Sequence, residues 1–460
     1  MNLHRAAPFV ACIAAIACIS PPTFVCKSNP DCVSEDGVPG ICESNGSCSF
    51  YDPSCPTTLR RYPDGAADKL ASTCVPAGKQ CIAQIAAGTT HTCALRSDGA
   101  VFCWGFNEDG EVGDGTTNDA NKPTQVKGLP SDHKAVQIGT AEYHTCALLD
   151  DNTVWCWGIN DALNLGQCNG DQLPSSSAPV RVPKWAPNTQ QPASPTCNAN
   201  APFTATQIAL GGEHACAIGT DGSLYCWGEN QTGAQGGQAG QDPKVFDDVP
   251  GPLAVAFDGA VSVACGDEYS CVKKDENSVW CFGGNALNEL GDGTTNASFA
   301  PINVSGLSDA KDLVLDDETP CVLTRTNALF CWGNGTTGIF GTDLNDNVSK
   351  ATRIMSAAKA FGGGTSETIC ATQSDGTLQC FGANDTGQCG IGTSEPNVTA
   401  PTDAKLTSVT TAALGADHTC AVTTDGALWC WGADDHGQLG DGQISPTPVT
   451  VPERIDFPCP

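Results

Sequence analysis

Cysteine pairs with one fixed spacing are the most prominent reactive side chains of this chain. In the stretch HTCALRSDGAVFCWG, two cysteines lie ten residues apart around the turn signal Asp98-Gly99. The same spacing, with Trp-Gly or Phe-Gly after the second cysteine, occurs in seven pairs. Two thiols held at a fixed distance can be oxidised to a disulfide, so the pattern predicts seven equivalent bonds. The seven pairs are Cys93 with Cys103, Cys146 with Cys156, Cys216 with Cys226, Cys271 with Cys281, Cys321 with Cys331, Cys370 with Cys380, and Cys420 with Cys430.

A short β-hairpin is the element that must position each pair. With Ser97-Asp98-Gly99 as a three-residue loop and its glycine in the left-handed conformation, Cys93 falls opposite Cys103. If Arg96 and Ala100 close the turn as a hydrogen-bonded pair, alternation places the two cysteines at a non-hydrogen-bonded position. The Cα atoms are then about 4.5 Å apart, which a disulfide tolerates. Each pair is therefore predicted to join two neighbouring strands of its own hairpin.

Zinc binding is the alternative use of so many cysteines. The chain has 28 cysteines but only 7 histidines, and it contains no Cys-x-x-Cys motif. This pattern favours disulfides over zinc, and it is typical of proteins from an oxidising compartment. With the cysteines committed to bonds, no Cys/His or Ser/His/Asp catalytic set can be assembled, and we expect no catalytic residue, metal or cofactor.

The N-terminus predicts export. Arg5 precedes a short apolar run that ends at Ser20, which is typical of a signal peptide over residues 1–20. Ala15-Ile16-Ala17 before Cys18 fits a cleavage site and also loosely fits a lipobox, so Cys18 is a candidate for lipidation. Plain secretion and a lipid anchor at the cell surface both stay open. The remaining sequence has no apolar run of membrane-spanning length, so no membrane span is expected.

Residues 21–80 form a separate cysteine-rich segment. It contains few large apolar residues for a core, so three disulfides are expected to hold it. Their connectivity cannot be chosen from sequence. The six cysteines are Cys26, Cys32, Cys42, Cys48, Cys55 and Cys74.

The remainder, residues 81–460, consists of tandem repeats. The first cysteines of the pairs advance by 53, 70, 55, 50, 49 and 50 residues, a period that marks repeated supersecondary units. Short apolar runs separated by turn residues predict an all-β fold with four strands per unit. The hairpins are apolar on both faces, so each small sheet needs a neighbour on each side, as in a closed β-propeller. The predicted repeats are 82–132, 133–203, 204–258, 259–308, 309–356, 357–407 and 408–457.

The repeats resemble those of the regulator of chromosome condensation (RCC1) family. The shared pattern is H-x-C-A-L-x-x-D-G-x-V-x-C-W-G-x-N-x-x-G-x-x-G-D-G-T, clearest from His91 to Thr116 and seen again from His418 to Gly442. The resemblance implies a seven-bladed propeller. The added cysteine pairs resemble exported bacterial members, which implies a secreted or outer-surface bacterial protein. The nuclear member's guanine-nucleotide exchange activity is one function that the resemblance suggests, although its inserted wedge cannot be matched here.

Ring closure predicts a further disulfide. Cys81 precedes the first repeat and Cys459 follows the last, so we expect a Cys81–Cys459 bond where the ends of the ring meet. Cys168 and Cys197 flank the insertion that lengthens the second repeat, and we pair them. Cys265 and Cys389 are left without a predicted partner.

Charge limits the partners of the chain. A net charge of -29 repels phosphate backbones, so nucleic acid is excluded as a partner. The adjacent carboxylates Glu108 and Asp109, Asp316 and Asp317, and Asp434 and Asp435 are interpreted as solvated loop charge, and the GDGTT stretches as turns rather than cation sites. The recurring His91, His144, His214 and His418 are interpreted as structural, with a hydrogen bond to backbone inside each blade.

These observations predict a non-enzymatic, monomeric protein-binding or cell-surface scaffold with an unidentified ligand. Loops on a rigid scaffold carry most binding contacts, and Trp185 in the second-repeat insertion is the candidate anchor. The alternative for Trp185 is that it packs against its own loop. Two other functions stay open: guanine-nucleotide exchange, by family analogy, and a glycan-acting extracellular enzyme.

Overall fold

All the regular secondary structure that is described consists of β-strands. A computed structural model describes residues 41–42, 48–51, 60–61, 81–167, 173–186, 196–231, 236–340, 346–362 and 367–459. Within these ranges every regular element is a β-strand, and none is a helix long and apolar enough to cross a membrane. The predicted signal peptide, Cys18, Cys168 and most of the cysteine-rich segment lie outside the described residues. The predicted Cys168–Cys197 bond therefore stays a prediction.

A small three-stranded sheet lies in the cysteine-rich segment. Its strands are β1 (Ile41–Cys42), β2 (Cys48–Tyr51) and β3 (Arg60–Arg61). The backbone register places Cys42 opposite Cys48.

Seven four-stranded antiparallel sheets, the blades, follow in chain order. Blades 1 and 2 are β4 (Ile82–Ala87), β5 (His91–Arg96), β6 (Val101–Gly105), β7 (Ala120–Gln125) and β8 (Ala135–Thr140), β9 (His144–Leu149), β10 (Val154–Ile159), β11 (Ser175–Arg181). The second-repeat insertion adds a two-stranded sheet, β12 (Pro183–Ala186) and β13 (Thr196–Pro202). Blades 3 and 4 are β14 (Ala205–Leu210), β15 (His214–Gly219), β16 (Leu224–Glu229), β17 (Asp248–Ala254) and β18 (Ala260–Cys265), β19 (Tyr269–Lys274), β20 (Val279–Gly283), β21 (Ser298–Asn303).

The last three blades repeat the arrangement. They are β22 (Ala310–Leu315), β23 (Pro320–Thr324), β24 (Leu329–Gly333), β25 (Val348–Met355); β26 (Ala358–Gly362), β27 (Thr368–Gln373), β28 (Leu378–Ala383), β29 (Asn397–Asp403); and β30 (Val409–Leu414), β31 (His418–Thr423), β32 (Leu428–Asp434), β33 (Ser445–Ile455). The prediction of an all-β, seven-bladed propeller is confirmed.

The second and third strands of every blade form the predicted hairpin. In blade 1, Cys93 is the register partner of Cys103, and the Arg96 amide donates to the Ala100 carbonyl at 2.8 Å. The Cα atoms of these two cysteines are 4.1 Å apart, somewhat closer than the distance expected from the sequence. The strands therefore meet in the register that the turn predicts.

All seven hairpins carry the predicted disulfide. The Cα–Cα distance is 4.1 Å in every blade except blade 5, where it is 4.2 Å. Each hairpin thus has one internal cross-link, and none of these fourteen cysteines is bonded to another blade. The bonds join Cys93 to Cys103, Cys146 to Cys156, Cys216 to Cys226, Cys271 to Cys281, Cys321 to Cys331, Cys370 to Cys380, and Cys420 to Cys430.

The first strands line the centre of the ring. Neighbouring first strands pack together, including β30 against β4, which closes the circle. Glutamine side chains connect several of them. The Gln84 side chain donates to the Ile138 carbonyl at 2.7 Å and accepts from the Ile138 amide at 2.9 Å, and Gln137 makes both bonds with Ile208. One side-chain amide thus bonds to the edge of the next blade without any backbone pairing between sheets.

Ring closure rests on the chain ends. Blade 1 and blade 7 are each built from consecutive strands, so no strand is exchanged between the ends. Cys81 and Cys459 form a disulfide with a Cα–Cα distance of 5.8 Å. Beside it, Arg96 donates to the Pro458 carbonyl at 2.8 Å, and the rings of Phe102 and Phe457 meet edge to face at 5.4 Å. The ends are therefore held by one covalent bond, one side-chain hydrogen bond and a small apolar contact.

A hydrogen bond to the preceding blade explains why tryptophan recurs after the second cysteine. The Trp157 Nε1 donates to the Glu111 carbonyl of the preceding blade at 2.7 Å, and the equivalent bonds of Trp104, Trp227, Trp332 and Trp431 are 2.7–2.9 Å long. Gly113, the first glycine of a GDGTT stretch, has a φ of +71°, and a Cβ there would lie 2.7 Å from Trp157 Nε1. Glycine is thus required where the loop passes over the next blade's indole.

Trp185 lies in the core and not on an open surface. Its side chain is 5% exposed, and its ring packs edge to face against Phe246 of blade 3 at 6.0 Å. The expectation that Trp185 is an exposed binding anchor is therefore corrected. A large indole next to an apolar sheet edge gains more from burial than from display.

Candidate functional site

Seven loops meet at one end of the central channel, and we call them the mouth loops. Each joins the first strand of a blade to the second, and they comprise residues 88–90, 141–143, 211–213, 266–268, 316–319, 363–367 and 415–417, the sixth of which is described only at Glu367. Because first strands line the channel, their loops converge although they are about 50 residues apart in sequence. The loops between third and fourth strands lie on the same side, because alternate strands of an antiparallel sheet run in the same direction.

The mouth loops concentrate carboxylates. Their sequences are GTT, AEY, GGE, GDE, DDET, GGTSE and GAD, which contain no lysine or arginine. The acidic residues in them are Glu142, Glu213, Asp267, Glu268, Asp316, Asp317, Glu318, Glu367 and Asp417. One end of the channel is therefore surrounded by a ring of carboxyl groups, and these loops contain no lysine or arginine to pair with them.

A cavity of about 310 Å³ lies inside this ring. Residues from six of the seven blades line it, including Thr89, Glu142, Asp267, Asp317 and Ala416. The wall also contains three glycines, Gly211, Gly212 and Gly266. The cavity is thus a shared product of the ring and belongs to no single repeat.

Burial and mutual repulsion shift the protonation of the mouth carboxylates. Burial raises the pKa of Asp317 to about 8, and the charges of Asp267 and Glu318 contribute to this rise. Burial, followed by the charges of Glu268 and Glu142, raises the pKa of Asp267 to about 7. The pKa of Glu213 is also raised to about 7, first by burial and then by Glu229. Half-buried carboxylates without cations hold protons near neutral pH, because each unpaired charge is costly there.

Carboxylates of the neighbouring outer loops behave similarly. Burial raises the pKa values of Glu111, Glu289 and Asp434 to about 7. The asparagine of the repeat holds these loops in place. In blade 1 Asn107 donates to the Asn118 carbonyl at 2.8 Å and accepts from the Val112 amide at 2.9 Å. The acidic region therefore sits on a fixed scaffold.

The recurring histidines lie directly beneath the mouth loops and join neighbouring blades. His91 Nε2 is 2.9 Å from Thr145 Oγ1, and His214 Nε2 is 2.8 Å from Ser270 Oγ. The interpretation as a backbone bond inside each blade is wrong, because the partner is a hydroxyl of the next blade. The next blade after blade 7 is blade 1, and His418 Nε2 accordingly lies 2.7 Å from Thr92 Oγ1.

Blades 5 and 6 have threonine in place of the histidine. Thr319 donates to the Asn334 carbonyl at 3.0 Å, and Thr368 donates to the Ala383 carbonyl at 2.8 Å. Both acceptors belong to the backbone of the same blade. The threonines thus make the hydrogen bond to backbone of the same blade that was predicted from the sequence for the histidines. The hydroxyl group is too short to reach the next blade as the imidazole does.

His144 differs from the other three histidines because, among the described residues, it has no hydroxyl partner on the next blade. It is fully buried, and within the described part of the chain neither ring nitrogen has a hydrogen-bond partner. Blade 3 has Ala215 at the position where the other histidines find threonine or serine. Burial lowers the pKa of His144 to about 3, so the ring is neutral.

The aspartates of the GDGTT stretches on the mouth side make hydrogen bonds within their own turns. Asp114 of the first GDGTT stretch accepts from the amide and the hydroxyl of Thr116 at 2.9 and 2.7 Å, and Asp292 does the same with Thr294. These bonds are those of a turn, as the sequence predicts. Asp316 is buried, whereas its neighbour Asp317 lines the cavity, so this acidic pair is not simply solvated loop charge.

The mouth is a site that no single repeat reveals in the sequence. A signal for it exists, because an acidic residue stands immediately before the histidine position in several repeats. The single-repeat view hides this signal, because each repeat contributes only a few charges to the ring. The residues concerned are Glu213, Glu268, Glu318, Glu367 and Asp417.

The seven similar four-stranded sheets place this protein in the class of β-propellers that are built from tandem sequence repeats. Regulator of chromosome condensation (RCC1) repeat models match residues 98–148, 375–422 and 425–458, and a second RCC1 repeat model matches residues 82–111, 135–167, 205–234, 260–288 and 409–438. The chain belongs to the RCC1-repeat family.

Several relatives share these repeats. Over 372 residues the chain is 24% identical to the human E3 ubiquitin-protein ligase HERC2, covering 77% of this chain but 7% of HERC2. It is 28% identical over 358 residues to the Arabidopsis thaliana ultraviolet-B receptor UVR8, covering 75% of this chain and 76% of the receptor. The chain thus spans a small part of HERC2 and about three quarters of UVR8.

Among solved structures, Prp20p of Saccharomyces cerevisiae is similar, with a TM-score of 0.67 and 22% identity. The alignment covers 79% of this chain and 87% of Prp20p. This likeness establishes a shared fold.

Proposed function

We propose that this protein is an exported, non-enzymatic scaffold that binds a positively charged protein segment at the channel mouth. The observation that carries the proposal is the ring of acidic mouth loops without a lysine or arginine. Lysine or arginine side chains of a partner would supply the counter-charges that this surface lacks. Such complementarity speeds encounter and selects against acidic partners.

The shape of the mouth supports a peptide-like ligand. The cavity is about 310 Å³, at the lower end of small-molecule pockets, and its walls are loops held by a rigid ring. A lysine or arginine side chain can enter such a cavity while the rest of the segment lies on the surrounding acidic surface. Rigid loops on a fixed scaffold reduce the ordering cost of binding.

Structural relatives support protein binding as the general role. Prp20p is described with its binding to Gsp1p and histones, and a second structure shows Kap60 bound to yeast RCC1. Histones are rich in lysine and arginine, which is the ligand chemistry proposed for this mouth.

Export is part of the proposal and rests on the cysteines. Eight disulfides join described residues, seven within hairpins and one across the ring closure. Such bonds persist in oxidising compartments. Secretion and lipid anchoring at Cys18 are distinguished by the mass of the N-terminal peptide of the natural product.

The test compares two variants that each replace five carboxylates by amides. In the mouth variant, five carboxylates become amides: Glu142→Gln, Glu213→Gln, Asp267→Asn, Asp317→Asn and Glu318→Gln. The control variant changes five carboxylates at the opposite end of the blades: Asp132→Asn, Asp258→Asn, Glu276→Gln, Asp309→Asn and Asp403→Asn. The probe is a fluorescent oligolysine peptide, and its anisotropy is measured over a series of salt concentrations.

We expect the mouth variant to bind at least about tenfold more weakly and with a smaller salt dependence, because five lost contacts of about 0.3 kcal/mol or more each total about 1.4 kcal/mol or more. The control variant should bind nearly as the parent protein does. An equal loss in both variants would show that the peptide responds only to net charge, and the proposal would then be rejected.

The glycan-acting alternative has one observation in its favour. Asp267 and Asp317 line one cavity, and the raised pKa of Asp317 is the property that the general acid of a hydrolase requires. Incubation with a panel of oligosaccharides and detection of reducing ends tests it. Turnover that disappears in Asp317→Asn would replace the scaffold proposal with an enzyme.

A further inference from the structure

Cys265 is a free thiol at a position where other blades have none. It is the last residue of its first strand, and the equivalent residues of other blades are Ala87, Thr140, Leu210, Leu315 and Leu414. It is not bonded to another cysteine, and it contributes to the wall of the mouth cavity. Packing alone therefore does not require a sulfur here.

The Cys265 thiol lies beside the disulfide of the preceding blade. Ser270 Oγ is 3.5 Å from Cys265 Sγ and also 3.5 Å from Cys216 Sγ, and Cys216 is bonded to Cys226. The two sulfurs and a ring nitrogen of His214 all lie within 4.8 Å of one another. In the described part of the chain this is the one group of three side chains close enough to share a metal ion. The bond to Cys226 removes the thiolate of Cys216 that a metal would need, so the group is suited to sulfur exchange instead.

We propose that Cys265 and the Cys216–Cys226 bond form a thiol–disulfide exchange site that can covalently link blade 3 to blade 4. The product is a Cys216–Cys265 disulfide with a free thiol at Cys226. Because Cys216 and Cys226 are on adjacent strands of blade 3 and Cys265 is on β18 of blade 4, a cross-link inside one blade becomes a cross-link between two.

The exchange needs no external oxidant. The Cys265 thiol gives its proton to water in the mouth cavity, and the thiolate attacks Cys216 Sγ. The new sulfur–sulfur bond forms as the Cys216–Cys226 bond breaks, and the electron pair leaves with Cys226, which takes a proton from water. One disulfide and one thiol are present before and after, so the step is an isomerisation.

Burial controls the rate of this step. It raises the pKa of the Cys265 thiol to about 12, so the thiolate is scarce while the seam between blades 3 and 4 is closed. Opening of this seam hydrates the thiol and releases the exchange. Cys265 directly precedes the mouth loop at 266–268, so the new bond would fix the position of that acidic loop relative to blade 3.

Other cysteines of the ring lack this arrangement and provide controls. In blade 1, Cys93 Sγ lies 3.9 Å from Thr145 Oγ1, which reproduces the sulfur–hydroxyl contact, but blade 2 has Thr140 in place of a thiol. The second free cysteine, Cys389, is buried, and its Sγ is 3.5 Å from the Ala383 carbonyl. Blade 7 has Leu439 at that position, so Cys389 fills an apolar site.

The test removes the sulfur of Cys226, so that a Cys216–Cys265 disulfide, once formed, cannot revert to the Cys216–Cys226 bond. In Cys226→Ser, the thiols of Cys216 and Cys265 are both free. Glutathione disulfide should oxidise them to a Cys216–Cys265 bond with release of two glutathione molecules. The full-length protein is alkylated, digested without reductant and mapped by mass spectrometry. We expect the cross-linked peptide in most of the Cys226→Ser protein and none in Cys226→Ser/Cys265→Leu, where leucine is the residue of blades 3, 5 and 7.

Protection of Cys389 from alkylation before denaturation reports that the ring is folded. If Cys389 is protected and Cys216 carries only glutathione, the two sulfurs do not meet and the proposal is wrong. If the Cys226→Ser variant does not fold, the parent protein is used to test the exchange. Incubation in mild denaturant followed by acid quenching should then yield alkylated Cys226 together with the Cys216–Cys265 peptide, and labelling confined to Cys265 and Cys389 overturns the proposal.

Discussion

The two ends of the propeller carry the same acidic residues in opposite electrostatic settings. At the mouth, the carboxylates of Asp267 and Asp317 line one cavity and have raised pKa values. At the far end, the hairpin turns hold Asp98, Asp150 and Asp221, whose pKa values are lowered. Composition alone does not distinguish the two ends.

Local bonding explains the far end. Asp98 accepts from Arg96 at 2.8 and 2.7 Å and from the Ala100 amide at 3.2 Å. The hydrogen bond from Arg96 is the main reason that the pKa of Asp98 falls to about 2. Asp150 is bonded to His133, and Asp221 accepts from the Ser223 amide and the Tyr225 hydroxyl. Each far-end charge thus has its own partners, whereas the mouth charges have mainly each other. An acidic surface left in this state is one that gains from binding a cation.

The pH dependence of stability should show the largest effect of this contrast. Glu213, Asp267 and Asp317 at the mouth have folded-state pKa values of about 7–8, above their unfolded values near 4, so these groups bind more protons in the folded protein between pH 4.5 and 8. These carboxylates therefore make stability rise as the pH falls through this range. The four buried histidines, whose pKa values burial lowers to about 3 or 4, oppose this rise below about pH 6.5, because the unfolded chain binds protons there. We expect the thermal midpoint to increase by about 5 °C from pH 8 to pH 5.

Below pH 4 the sign reverses. Far-end carboxylates with lowered pKa values stabilise the fold only while ionised, so their contribution is lost as they are protonated toward pH 2. Thermal unfolding followed by circular dichroism from pH 2 to 9 checks both arms of the curve. A midpoint that falls steadily from pH 8 to pH 5 would contradict the proposed state of the mouth.

Asp317→Asn should raise the thermal midpoint by about 1–3 °C at pH 8, the second largest effect. Asparagine keeps the shape of the side chain and removes the charge that Asp267 and Glu318 repel. At pH 5 the parent Asp317 is already protonated, so the two proteins should unfold at nearly the same temperature. A variant that is less stable at pH 8 would mean that a cation or a donor stabilises the Asp317 carboxylate.

Most of the fold could be predicted from the sequence, because its signals are local and repeated. The spacing of Cys93 and Cys103 and the Asp98-Gly99 turn determine the hairpin register, and seven copies determine the ring. The mouth could not be predicted in the same way. Glu142, Asp267 and Asp317 are separated by more than 40 residues from one another, and only ring closure brings them to one cavity.

The histidine partners show the same limit at shorter range. His91 bonds to Thr145, which is 54 residues away, so no pattern inside one repeat reveals the contact. Trp185 failed as a prediction for a related reason. A tryptophan in a polar insertion suggests exposure, yet the insertion folds back and buries the ring against blade 3.

Ala215→Ser should stabilise the layer beneath the mouth by about 0.5–1.5 kcal/mol, a smaller effect. The new hydroxyl would occupy the position from which Thr145 and Ser270 bond to histidines of the preceding blade, and it would give His144 a partner. Chemical denaturation of the two proteins measures the difference. Ala215→Val is the control, because it adds bulk without a hydroxyl and should not stabilise. Equal or lower stability of the serine variant would show that His144 already has a partner, such as an enclosed water.

Asp98→Asn at the far end should have the smallest effect and the opposite sign to Asp317→Asn. It weakens the ion pair with Arg96, whose guanidinium also donates to the Pro458 carbonyl beside the ring closure. The pair is partly exposed, and such pairs contribute little, so we expect the thermal midpoint to fall by about 1 °C at pH 7. The difference should shrink toward pH 2, where about half of the parent Asp98 is itself protonated, and it should also shrink in high salt. One chemical change, aspartate to asparagine, would then stabilise one end of the ring and destabilise the other. If both substitutions shift the midpoint in the same direction, net charge and not local pairing governs the carboxylates, and the mouth is no longer distinguished from the far end.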